Sequence, residues 1–183
     1  NISARVVNLA DMPSQVLSDM LFPRTSRREN SENALMVKYY YEKAVGATLC
    51  FTLPIVLGIL LFPKLIILVI AGPQYMDAVL YLQVIAVSAI FLAFLKHYAV
   101  ILDSTGNPQI NFATITLIAV VHVFLTYFGI RHFGFLGAAY AQIASHIFGF
   151  ILTQTILIRK FGISFVSCFR QAWALYPLMY KVL

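Results

Sequence analysis

Four long runs of residues carry no Asp, Glu, Lys or Arg, and runs of that kind constrain a chain more tightly than any short motif. They lie at about 44–62, 78–95, 110–130 and 133–158, broken within only by scattered polar and proline residues. Each reaches the roughly 18 to 25 mostly uncharged residues needed to cross a hydrocarbon core. Lipid offers backbone N–H and C=O groups no partners, so such runs must be helical. The rest of the composition agrees. Hydrophobic residues make up 61% and charged residues 11%, against about 25% charged in soluble domains, and the mean hydropathy is +0.84. The chain is expected to be an all-α, polytopic transmembrane helix bundle.

Segment 2–22 contains Arg5, Asp11 and Asp19, and plain hydropathy would discard it. On a helix, however, Arg5, Asn8, Asp11, Gln15, Ser18 and Asp19 gather within an arc of roughly 140°, while Val6, Leu9, Ala10, Val16, Leu17 and Met20 face away. Such a helix lies at the interface or spans while lining a wet interior. Segment 65–72 is too short to span. It follows Phe62-Pro63-Lys64, so it either continues the preceding helix past a kink or forms a short interfacial helix. Pro54, midway along the first run, is expected to bend its helix. Segment 165–183, interrupted by Arg170, reads as the start of another span. The chain opens on Asn1 and ends in apolar sequence, which is expected of a piece of a longer protein.

The net charge of +6 does not form one basic patch, which argues against nucleic acid. Arg24, Arg27, Arg28, Lys38 and Lys43 fall in an expected loop at 24–43, and Arg159, Lys160 and Arg170 follow the fourth run. Lys64 and Arg131 occupy the alternate side, and the 103–109 loop is neutral. Basic residues favour the cytoplasm, so the 24–43 loop is expected there. Tyr39, Tyr40 and Tyr41 then fall at the headgroup layer. Cys50 and Cys168 lack metal-ligand spacing and read as small buried hydrophobes.

No phosphate-binding loop, paired-histidine metal site or nucleophile elbow occurs in the sequence, so neither catalytic nor metal residues are assigned. Charge is costly in a bilayer, so polar groups there normally face a bundle interior or a water path. Lys96, just beyond the second run, is such a candidate, with snorkelling to the interface as its structural alternative. His122 and His146 read as neutral, hydrogen-bonded core residues, with proton relay as the alternative. Six polar residues on one face make 2–22 the stronger case: a lumen-lining helix for a polar or anionic cargo. Gly134, Gly137, Ala138, Ala139, Ala141, Ala144 and Ser145 form a small-residue cluster that permits close helix approach.

Ala4-Arg5-Val6-Val7 opens the polar-striped helix, which ends in Leu21-Phe22-Pro23 before Ser26. Gly72-Pro73-Gln74-Tyr75 precedes Ala78 and Leu82-Gln83. Gly106-Asn107-Pro108 and Gly134-Phe135-Leu136-Gly137-Ala138-Ala139 follow in order. Together, over about residues 1–165, they resemble the C-terminal half of polysaccharide flippases, O-antigen or capsule type, in the multidrug/oligosaccharidyl-lipid/polysaccharide exporter superfamily. The resemblance implies one lobe of a two-lobe inverted- or pseudo-repeat transporter. Residues 1–165 would be that lobe, with about five helices, and 166–183 the start of a further helix. It implies alternating access for an undecaprenyl-pyrophosphate-linked oligosaccharide in a cell inner membrane, with no cofactor, and with an N-terminal lobe absent from this sequence. Arg5 is carried over first as the contact for pyrophosphate or sugar acids, and Arg24 second. Asp11, Gln15, Asp19 and Lys96 complete the expected substrate pathway. The alternatives are a cation-coupled multidrug exporter, a peptidoglycan-precursor flippase, or a membrane enzyme of polysaccharide assembly. The absence of Asp and Glu from the complete later spans weighs against the drug exporter.

Overall fold

A computed structural model of the chain describes residues 31–180, which are helices and short turns with no strand among the described residues. Four helical stretches, Ala34–Leu61, Pro73–Ser104, Pro108–Phe133 and Phe135–Phe161, are long and apolar enough to cross a membrane. The expected bundle therefore forms, with every span at its expected place and several with different limits.

The first helix, α1 (Ser31–Leu61), begins well before the apolar run that announced it. Val37, Tyr41, Val45 and Leu49 recur every four residues, so they share one face and bury together. That register draws Lys38, Glu42 and Lys43 into the helix, where a loop was expected. It also turns Tyr41 inward, its side chain wholly buried against the bundle, while Tyr39 stays exposed. The helix runs unbroken through Pro54. The break comes at Phe62 (φ −125°, ψ 45°), held out of the helical region by Pro63 after it. Proline fits the first turn of a helix, and α2 (Pro63–Ile70) starts there as a separate short element. A 3-10 turn, Pro73–Ala78, leads into α3 (Val79–Ser104).

Helix α3 continues to Ser104, past the limit set by Lys96. Its polar second half is satisfied inside the bundle: His97 Nε2 lies 2.8 Å from Thr48 Oγ1, and Tyr98 Oη lies 2.9 Å from Thr114 Oγ1. Asp103 is helical as well, and accepts a 2.8 Å hydrogen bond from Asn111 Nδ2. Helices α4 (Pro108–Phe133) and α5 (Phe135–Phe161) form a hairpin through Gly134, whose φ of +59° suits glycine. Beside the turn, Gly129 and Gly137 meet backbone to backbone, and a Cβ on either would collide with the other's carbonyl. The small-residue cluster thus performs the close approach expected of it. Finally α6 (Phe165–Tyr180) passes through Arg170 without interruption.

The helices pack in the spatial order α6, α1, α3, α5, α4. One apolar core joins α1, α3, α5 and α6 around Tyr41, Phe94, Tyr98, Leu157 and Cys168. A smaller one ties the end of α1 to α2 and the start of α3 through Val56, Ile59, Ile67, Leu82 and Ala86. Much of α4 is exposed, with Phe112, Val123, Phe124 and Tyr127 on its open side. Exposed apolar side chains of this kind suit contact with lipid tails.

Candidate functional site

The polar side chains inside this apolar bundle fall into two layers. The first lies where α1, α3 and α5 meet. Gln154 Nε2 donates to Tyr41 Oη at 2.8 Å, and the Tyr41 hydroxyl approaches the Phe94 carbonyl at 3.5 Å. Gln154 is 5% exposed, and its Oε1 is buried with no hydrogen-bond partner. Two turns along α1, Thr48 holds His97, which is fully buried. On another face of α1, Glu42 is 7% exposed and accepts a 3.0 Å hydrogen bond from the Ser164 N–H, at the entry to α6. A carboxylate at that position satisfies an otherwise orphaned amide and opposes the positive end of the α6 dipole.

The second layer lies deeper, between α3, α4 and α5. His122 Nδ1 is 2.8 Å from Ser145 Oγ, and Ser145 Oγ also donates to the Gln142 carbonyl at 2.9 Å. His146 follows Ser145 on α5, and its Nδ1 is buried without a partner. Its ring also meets the main chain of Ser88 on α3. Gly149, one turn on, keeps the junction tight: a Cβ there would sit 2.9 Å from Leu95 Cδ2 and 3.0 Å from Ile118 Cδ1.

Of the residues expected to line a pathway, Lys96 falls within the description. It lies on α3, half-buried beside His97, eight residues before the end of the helix at Ser104. At 1.5 Å per residue that is about 12 Å inside the helix end, deeper than its expected place near a span boundary. Arg5, Asp11, Gln15, Asp19 and Arg24 lie outside the described residues. Tyr41 was read from the sequence as a headgroup-layer aromatic, and Glu42, His97 and Gln154 were not singled out. Glu42 was assigned to a loop because the hydropathy run begins at Ala44, although the four-residue apolar repeat starting at Val37 places it on a helix.

The two ends of the bundle differ in charge. At one end the start of α1, the α3–α4 turn, the end of α5 and the start of α6 converge, through the Glu42–Ser164 contact and a hydrogen bond from Lys160 Nζ to Asn107 Oδ1. Lys38, Lys43, Arg159 and Lys160 lie there. At the other end Gln83 Nε2 donates to the Leu60 carbonyl at 3.3 Å, and Tyr81 stacks on Phe135 with ring centroids 4.6 Å apart. Lys64 and Arg131 belong to that end. Among the described residues no group of three or more His, Cys, Asp or Glu is placed to hold a metal ion. What the interior offers is a ladder of hydrogen-bond donors and acceptors inside an apolar wall.

The MatE family model matches residues 1–128. The chain belongs to the MatE family. That family lies in the multidrug/oligosaccharidyl-lipid/polysaccharide exporter superfamily anticipated from the motif order, while the polysaccharide branch is a finer distinction than the match makes. The chain is also similar to an uncharacterized membrane protein of Methanocaldococcus jannaschii, with 25% identity over 152 residues, or 83% of this chain. The chain spans 29% of the length of that relative. No solved structure matches it. The MatE match takes in the polar-striped segment 2–22 as well as α1 to α3 and most of α4.

Proposed function

We propose that this MatE chain forms part of a transporter that flips an undecaprenyl-pyrophosphate-linked oligosaccharide across a cell inner membrane by alternating access. Membership of a family of transporters, joined to a polar interior inside an otherwise apolar bundle, is the observation that carries the reading. A cargo with a pyrophosphate and a sugar chain needs donors and cations along its route, and a lipid tail needs an open apolar flank. Arg5 and Arg24 supply cationic donors in the segment before α1, and Lys96 supplies one about two-thirds of the way along α3. Asp11, Gln15 and Asp19 share the Arg5 face of the sequence and offer partners for sugar hydroxyls. On this reading residues 1–165 are the second lobe, and the first lobe of the same protein closes the cavity.

The experiment is reconstitution of the full-length parent in proteoliposomes carrying a fluorescent polyprenyl-pyrophosphate oligosaccharide. Time-dependent protection of the label from an outside reagent is expected, with at least a tenfold slower rate for Arg5→Ala at equal protein. A rate equal to that of empty liposomes removes the function. An unchanged Arg5→Ala rate removes Arg5 from the pathway.

A cation-coupled multidrug exporter is the second reading, and Glu42 favours it. The sequence placed no carboxylate inside a complete later span, yet Glu42 lies within Ala34–Leu61 and is buried. Gradient-driven efflux of a cationic dye that is lost in Glu42→Gln, with no oligosaccharide movement, selects this reading over the first.

A further inference from the structure

About 20 helical residues, at 1.5 Å each, cross the hydrocarbon core of a bilayer. Counted from Lys43 on α1, that length ends at Pro63; counted back from Asp103 on α3, it ends at Gln83. The two counts meet in space, since Gln83 Nε2 donates to the Leu60 carbonyl. The α4–α5 hairpin gives the same level. From Gln109 the count reaches Gly129, and back from Arg159 it reaches Ala139, beside the Gly129–Gly137 contact. This level is the boundary at the end opposite the basic one, hence the outer boundary by the charge bias. Helix α2 and the 3-10 turn after it, residues 63–78, begin there.

Helix α2 does not stand up into water from that level. Ile67 turns down into the small core with Val56 and Ile59 of α1 and Leu82 and Ala86 of α3. Val56 and Ile59 lie below the boundary, so α2 is folded back onto it. At about 100° per residue, Leu65 and Val69 fall on the side opposite Ile67. They are 61% and 76% exposed. Leu68 and Ile70 are exposed as well, and Lys64 is the one charged residue of the helix. A helix that faces water carries polar residues on its outer side. This one carries leucine and valine, level with the start of the acyl chains. The exposed Leu57, Leu61 and Phe62 of α1 continue the same apolar surface toward the core. Exposed Gln74, Tyr75 and Asp77 mark where the chain returns to water.

We propose that α2 is an in-plane anchor that inserts Leu65, Leu68 and Val69 among outer-leaflet phospholipids, with Lys64 against their phosphates. In-plane helices sink about 5–10 Å into the boundary between headgroups and acyl chains, held by apolar area and by basic residues. Lys64 is exposed, and its hydrocarbon stem lets the ammonium reach the phosphate layer. Residues 57–76 contain no Asp or Glu, so a lipid phosphate supplies the counter-charge that this stretch lacks. The break at Phe62 makes the arrangement possible, because a continuous α1 would carry Leu65 and Val69 straight out into water. The anchor ties the link between α1 and α3 to the bilayer surface, and it depends on the lipid, whatever the cargo.

The test uses the full-length protein in liposomes, with a polarity-sensitive fluorophore on Val69→Cys, Gln74→Cys or Val123→Cys in turn. Cys50 and Cys168 are buried. Phospholipids with a nitroxide near the carbonyl or deep in the acyl chain quench from within the bilayer, and iodide quenches from water. The Val69 label is expected to respond most to the shallow nitroxide, and Val123, exposed midway along α4, to the deep one. Gln74 is expected to respond to iodide. With the shallow nitroxide on phosphatidylglycerol in place of phosphatidylcholine, quenching at Val69 is expected to rise about twofold, and Lys64→Glu to abolish the rise. Iodide quenching at Val69 equal to that at Gln74 overturns the insertion. So does a Val69 label that no nitroxide lipid reaches while Val123 responds, which gives the face to the other lobe or to a second copy. A rise that is absent in the parent, or that survives in Lys64→Glu, overturns the phosphate contact.

Discussion

Gly137 and Gly58 are both helical glycines in apolar sequence, yet their surroundings give them opposite roles. Gly137 lies against the Gly129 carbonyl, whereas a Cβ on Gly58 would meet nothing within 4 Å. Gly137→Ala is therefore expected to force the α4–α5 hairpin apart, at a cost of about 1–3 kcal/mol. Gly58→Ala, which removes a flexible residue from a helix interior, is expected to stabilise by about 0.5–1 kcal/mol. Thermal unfolding of the detergent-solubilised protein reads both, and a Gly137→Ala variant as stable as the parent would mean the helices do not touch there. Thr48→Val tests the polar interior at the same scale. It keeps the volume and deletes the hydroxyl that meets His97 Nε2. Interhelical hydrogen bonds in lipid are modest, so a loss of about 0.6–1.7 kcal/mol is expected. An apolar substitution with no cost would place water on His97 instead.

At the scale of elements, hydropathy and register carried different amounts of information. The four spans were legible because a bilayer leaves helix as the open choice for a long apolar run. Their ends were not, because hydropathy stops at the first charge whereas a helix stops where its backbone bonds stop. Lys96 ended the second run, but α3 goes on because His97, Tyr98 and Asp103 all find partners on α1 or α4. Glu42 is the clearest case, since its role depends on Ser164, 122 residues away, and no local pattern announces that contact. It yields a prediction about α6, a helix that packs on α1 through Glu42 and a tight notch at Gly46. Glu42→Ala removes the capping acceptor and is expected to speed modification of buried Cys168 by a small maleimide about tenfold. Glu42→Gln keeps a carbonyl oxygen in place and is expected to fall between. Equal labelling rates in all three proteins would mean that Glu42 does not hold α6.

For the molecule as a whole, the distribution of charge sets which end faces the cell interior, and the fold makes that assignment sharper than the sequence did. The 103–109 turn is neutral and by itself gave no orientation. The bond from Lys160 to Asn107 now fastens that turn to the basic end of α5, and Glu42–Ser164 brings the start of α1 to the same place. Lys38, Lys43, Arg159 and Lys160 therefore act as one group against Lys64 and Arg131, and such a bias places the richer end in the cytoplasm. Gln109 and His132 are exposed near opposite ends of α4, so one helix carries both halves of the test. In intact cells a membrane-impermeant thiol reagent is expected to label His132→Cys and spare Gln109→Cys, and in inside-out vesicles the pattern should invert. The opposite pattern would turn the bundle over and put the Tyr41–Gln154 layer, which lies toward the basic end, at the outer mouth of any pathway. A cargo picked up inside would then meet the histidine layer before it reached Tyr41 and Gln154, and the order of binding and release along the polar ladder would have to be reversed.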